Sequence, residues 1–149
     1  MEPNPYLVFS SIFLFLPAIP LYMKNEYVGT GLSVVCCIFS MLHHSTKPRY
    51  PIILFFDKVF AYSTCIYATF TCIEGLPYSI IPYTTLISVT YTLYQIGYTY
   101  KCFLWHSNYS IATGWHILLH VGNGILCTLL VLLSDKSLYN RLSTQQVLT

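Results

Sequence analysis

The stretch Trp115-His116-Ile117-Leu118-Leu119-His120, inside an apolar run from about Ile111 to Ser134, is where residue types and spacing first suggest chemistry. A helix turning about 100° per residue puts His116 and His120 on one face, a single turn apart. Imidazole where hydrocarbon is expected marks a candidate functional position. Elsewhere, Ser40-x-x-x-His44 repeats the one-turn spacing, and Asp57 is the one aspartate inside an apolar run. Three neutral imidazoles suit a zinc ion whose fourth position stays open to water. Bound zinc lowers the pKa of that water to about 7. A carboxylate outside the ligand set can orient the water and take its proton. A serine hydroxyl one turn from a ligand can hydrogen-bond the oxyanion that forms. Together, His44, His116 and His120 as ligands with Asp57 and Ser40 beside them could hydrolyse an amide or ester. Inside a membrane the simplest substrate is a lipid.

The elements that must position these groups are legible in composition. Of 149 residues, 55% are apolar and 8% charged, against about 25% charged in soluble domains. Five apolar runs stand at about 7–23, 27–45, 51–72, 76–98 and 111–134, each near the roughly twenty residues that span a bilayer as a helix. Period-two alternation is absent, which argues against a membrane barrel. The expected fold is all-α, a polytopic transmembrane bundle of about five helices. It forms one integral membrane domain over 1–149, with a polar C-terminal tail at 135–149. The formal net charge of +2, with no basic run, gives no footprint for nucleic acid as a partner. The leader Met1-Glu2-Pro3-Asn4-Pro5 has no positive side chain, so the first run reads as a retained helix rather than a signal peptide. The six cysteines form no C-x-x-C pair and read as small apolar side chains.

Taken in order, Pro17 and Pro20 predict a kink or early end in the first helix, which is expected to contribute no chemistry. In the second helix Ser33, Cys37, Ser40 and His44 share one face, and Leu32, Val35, Phe39 and Leu42 form the lipid side. His43 is an alternative ligand to its neighbour; the spacing from Ser40 favours His44. A short loop, 46–50, makes the second and third helices antiparallel neighbours, and Pro51 suits the first turn of the third. Asp57 then lies about 9 Å into that helix, above Ala61, Thr64 and Ala68 on one stripe. Its short side chain cannot snorkel to the interface as Lys58 can. Hydroxyl groups crowd the fourth helix (Thr84, Thr85, Ser88, Thr90, Tyr91, Thr92, Tyr94) and serve helix packing or a polar cavity wall. His106 reads as a loop histidine without a role, and Asn108-Tyr109-Ser110 matches a glycosylation sequon. Counting crossings brings Ser40, His44, Asp57, His116 and His120 to one membrane level, because the third helix crosses and the fourth returns.

This constellation of Ser40-x-x-x-His44, Asp57 early in the next helix and His116-x-x-x-His120 in the last resembles the signature of the CREST superfamily. That family contains alkaline ceramidases, progestin and adiponectin receptors, and myomaker-like proteins. The resemblance implies zinc held by His44, His116 and His120, a water held by Asp57, and assistance from Ser40, in a hydrolase acting on a membrane lipid. Members typically have seven helices where this chain has room for five. Its small size makes a homo-oligomer, or a non-enzymatic receptor-like or membrane-remodelling member, a reasonable expectation. A b-type haem protein with imidazoles from two helices as axial ligands is the remaining alternative. Lys47, Arg49, Lys58 and Lys101 lie nearest the histidine surface, and Lys24, Lys136 and Arg141 nearest the other. By the positive-inside rule this predicts a multi-pass protein whose site faces the cytoplasm.

Overall fold

Five helical segments run where the five apolar runs stand in the sequence. The computed structural model describes residues 3–46 and 50–134. The loop charges Lys47 and Arg49, and the tail from Asp135 with Lys136 and Arg141, lie outside the described residues. The segments are α1 (Pro5–Met23), α2 (Tyr27–Ser45), α3 (Pro51–Glu74), α4 (80–100) and α5 (Tyr109–Leu133). Four of them, all but α4, are long and apolar enough to cross a membrane. The chain is all-α among the described residues and has the form of a multi-pass integral membrane protein.

Pro17 and Pro20 interrupt α1 as their chemistry requires. The α-helix Pro5–Ser11 tightens into a 3-10 turn over Ile12–Phe15 and resumes as Ala18–Met23. Pro17 has no N–H for the Phe13 carbonyl four residues back, and that carbonyl instead accepts from Leu16 N at 3.1 Å. The kink brings Phe13 against α5, where Gly124 has no side chain to hold it away.

The segment α4 is broken in a different way. Its α-helix Ile80–Tyr91 opens into a π turn over Thr92–Ile96 before closing as Gly97–Tyr100. Trp105 Nε1 donates to the Tyr94 carbonyl at 3.1 Å, within the π turn. Such insertions recur at functional sites, and this one places Tyr94 and Gln95 on a cavity wall. Both readings of its hydroxyls hold, at different places. Thr84 bonds its own backbone at the Ile80 carbonyl, whereas Thr90 donates to Asn123 Oδ1 of α5 at 3.1 Å.

Boundaries differ from expectation at the turns. The α4 helix begins at Ile80 rather than 76, because Ser79, fully buried, donates to the Cys72 carbonyl at 2.6 Å and closes the preceding turn. The last helix begins at Tyr109 because Asn108 caps it, its Oδ1 accepting from Ser110 N at 2.9 Å. The sequon asparagine thus serves as a helix cap, and its N–H donates to His106 Nδ1 at 2.9 Å.

Apolar side chains are turned outward, as a bilayer solvent demands. Along α3, Phe55, Tyr62, Ile66 and Phe70 are each about 60% exposed at helical spacing, an arrangement a water-facing surface rarely tolerates. Inside, Ala68, Cys72, Leu86 and Leu130 form the packed core where α3, α4 and α5 meet. That core lies roughly 16 Å or more along α3 from Asp57, at 1.5 Å per residue. All six cysteines are free thiols.

Candidate metal centre

Helix α2 presents Ser33, Cys37, Ser40 and His44 as one buried stripe, with Leu42 exposed on the opposite side. Helix α5 presents His116 and His120 one turn apart. Where the stripes meet, the His44, His116 and His120 rings converge, with centroids 4.8 Å apart for His44–His116, 5.4 Å for His44–His120 and 4.8 Å for His116–His120. One ligand nitrogen from each lies within 4.8 Å of the others. Zinc at about 2.05 Å from tetrahedral nitrogens spaces them roughly 3.4 Å apart, so the widest pair closes by about 1.4 Å, a matter of small side-chain rotations. Among the described residues this is the group of histidine, cysteine or acidic side chains able to hold a metal ion. The donor set, three imidazoles and no thiolate, fits zinc with an open position. His43 is also buried, with its ring 4.9 Å from that of His44, but it is His44 that belongs to the converging group.

Two cavities meet at these rings. The larger, about 410 Å³, is walled by all five helices, including Pro17, Ser40, Asp57, Tyr94 and His120. The smaller, about 250 Å³, is lined by Asn4, His44, Lys58, Tyr109 and Thr113. His116 lines both, so the cluster stands between a mainly apolar chamber and a more polar one. Asp57 is partly buried on the wall of the larger chamber, in company with Ser40, His116 and His120. The same chamber is lined lower down by Cys36, Cys65 and Cys127.

The first helix is where expectation fails. It contributes three polar residues to the site region, all buried: Asn4, Ser10 and Ser11. Ser10 Oγ lies 2.9 Å from His120 Nδ1 and Ser11 Oγ lies 3.4 Å from the same atom. Ser11 Oγ is also 3.0 Å from Ser40 Oγ. Ser40 Oγ in turn faces His120 Nε2 at 3.5 Å, a contact longer than an ordinary hydrogen bond. Asn4 caps α1 through Oδ1, accepting from Tyr6 N at 3.0 Å and Leu7 N at 3.3 Å. Its backbone N–H donates to the His44 carbonyl at 3.1 Å. Its Nδ2 donates to Tyr109 Oη at 2.8 Å and Thr113 Oγ1 at 3.2 Å. One asparagine therefore joins the His44 end of α2 to the turn preceding His116. Its signal in the sequence was Asn4-Pro5 ahead of an apolar run, a helix-start pattern.

No protein-family model matches the chain, and no curated protein or solved structure was found similar to it.

Proposed function

We propose that this protein is a zinc-dependent intramembrane hydrolase that cleaves an amide or ester bond of a membrane lipid, as the resemblance to the CREST superfamily implies. The observation that carries the reading is the convergence of His44, His116 and His120, two of which, His116 and His120, line the chamber that also holds Asp57 and Ser40. The mainly apolar walls of the larger chamber suit a lipid chain. The imidazoles converge on one point at centroid separations of 4.8–5.4 Å. That arrangement favours a small ion over a haem, which needs two ligands opposed across a macrocycle.

His44, His116 and His120 would hold the zinc, which would supply a Lewis acid and acidify a water to a pKa of about 7. Asp57, on the chamber wall, would be the group that accepts a proton there and returns it to the departing amine or alcohol. Ser40 would exchange its hydrogen bond to Ser11 for one to the carbonyl oxygen as negative charge develops there. Leu119, His120 and the apolar chamber wall limit bulk water around these groups. The site faces the cytoplasm in this reading, from the balance of basic residues.

Elemental mass spectrometry of the detergent-purified protein tests the metal, with wild type beside His116→Ala/His120→Ala. About one zinc per chain, absent from the variant, is expected. Turnover of ceramide and phospholipid panels then separates a hydrolase from a receptor-like or membrane-remodelling protein that keeps zinc for structure. A folded wild type without zinc overturns the proposal.

A further inference from the structure

The Ser10–His120 contact makes α1 more than a membrane anchor. An imidazole can bind a metal through Nε2 only if its neutral proton sits on Nδ1. Which nitrogen carries it is set by the partner of the other, and hydrogen positions follow from the network around it. Here that network can be counted donor by donor. Ser10 Oγ donates to the Leu7 carbonyl at 3.0 Å, and Ser11 Oγ donates to the same carbonyl at 2.8 Å. With their hydrogens so placed, both oxygens offer lone pairs toward His120. Nδ1–H then donates to Ser10 Oγ at 2.9 Å, and Ser40 O–H donates to Ser11 Oγ at 3.0 Å. Every donor in this series finds an acceptor within the ordinary range of about 2.7–3.2 Å. The opposite tautomer aims an Nε2–H at Ser40 Oγ, 3.5 Å away, outside that range in a site where an unmade bond costs most.

We infer that Ser10 is a positioning residue: it accepts the Nδ1–H of His120, fixes that tautomer, and leaves the Nε2 lone pair for a ligand in the site. Ser11 works one residue along, holding Ser40 in the same series of bonds. The whole group is sealed, with Ser10, Ser11, Ser40 and His120 exposed by 5%, 0%, 2% and 6%, so no bulk water competes for these bonds. The consequence for the metal rests on the zinc reading above; the tautomer does not.

The test is nitrogen-15 NMR of histidine-labelled, full-length, metal-stripped protein in lipid nanodiscs, with the His120 signals assigned by their loss in His120→Gln. Wild type is expected to show His120 protonated at Nδ1 and bare at Nε2. Ser10→Thr keeps the pattern, because the hydroxyl remains. Ser10→Ala, or Ser10→Cys if the alanine variant does not fold, moves His120 to a mixture or to the Nε2–H form. Cobalt(II) titrated into the same samples is expected to bind Ser10→Ala about 10–100-fold more weakly than wild type. A wild type with Nε2–H, or an unchanged tautomer in Ser10→Ala/Ser11→Ala, overturns the inference. Failure of the wild type to bind cobalt, with the Ser10-dependent Nδ1–H present, removes the hydrolase reading and leaves the role of Ser10 intact.

Discussion

Gly124 of α5 lies directly against the backbone carbonyl of Phe13 in α1, so close that a side-chain carbon at position 124 would overlap it. Gly124 is one turn beyond His120, and Phe13 is one 3-10 turn beyond Ser10. The contact therefore sets how near the serines of α1 come to the histidine of α5. Pro17 is part of the same arrangement, since it denies the Phe13 carbonyl its usual helical donor.

Gly124→Ala is the first prediction. Alanine favours an isolated helix over glycine by about 1 kcal/mol, whereas overpacking a tight contact costs about 1–3 kcal/mol. The obstacle here is backbone, which cannot swing aside, so the steric cost wins. The variant is expected to unfold at lower temperature and to hold less metal as Ser10 draws back from His120. A variant as stable and as fully loaded as wild type would show that α1 does not need this approach.

His43 and His44 are neighbours, both buried, and only a geometric distinction separates them. The ring of His44 sits 4.8 Å from that of His116 and 5.4 Å from that of His120. His44→Ala is expected to lose the metal entirely, and His43→Ala to retain about one ion per chain. Elemental analysis of both proteins decides it, and the reverse result would transfer the ligand role to His43.

The parts of this arrangement that were legible in the sequence share a physical cause. Long apolar runs read as membrane helices, and counting all five as crossings brings the ends that carry these residues to one surface. That is why Ser40, His44, His116 and His120 could be brought together from the sequence, with Asp57 on the cavity wall that Ser40, His116 and His120 line. Ser10 and Ser11 were opaque because serine in an apolar helix ordinarily bonds its own backbone. Both do so, at the Leu7 carbonyl, and their second partner depends on the Phe13–Gly124 contact between distant segments. The π turn in α4 was equally hidden, since no residue type demands it; it shows itself only where Tyr94 and Gln95 meet the cavity.

Lys24 offers a control far from the chemistry. From the turn between α1 and α2, its ammonium donates to the Val131 carbonyl and to Ser134 Oγ, at the last turn of α5. Carbonyls there have no helical donor, and a cation beside them is favourable by about 0.3–1 kcal/mol, up to about 2 when partly buried. Lys24→Met is expected to lower thermal stability by an amount in that range and to speed amide exchange over Leu130–Leu133. Metal content should not change, because Val131 is roughly 16 Å along the helix from His120. Loss of zinc in this variant would mean that the two ends of α5 are coupled.

Asp57 carries the sharpest distinction between a hydrolase and a protein that merely holds a metal. It lies on the chamber wall with Ser40, His116 and His120 but is not one of the three converging imidazoles. An asparagine in its place would match its size and keep a hydrogen-bonding oxygen, yet could not accept a proton. Asp57→Asn is therefore expected to bind about one zinc per chain, as wild type does, while lipid turnover falls by about 10²–10⁴-fold, the usual worth of a positioned general base. Loss of zinc instead would make Asp57 a fourth ligand and close the position that water needs. Retention of both zinc and turnover would move the proton acceptor elsewhere on the chamber wall, and Asp57 would then be a polar packing residue facing the cavity.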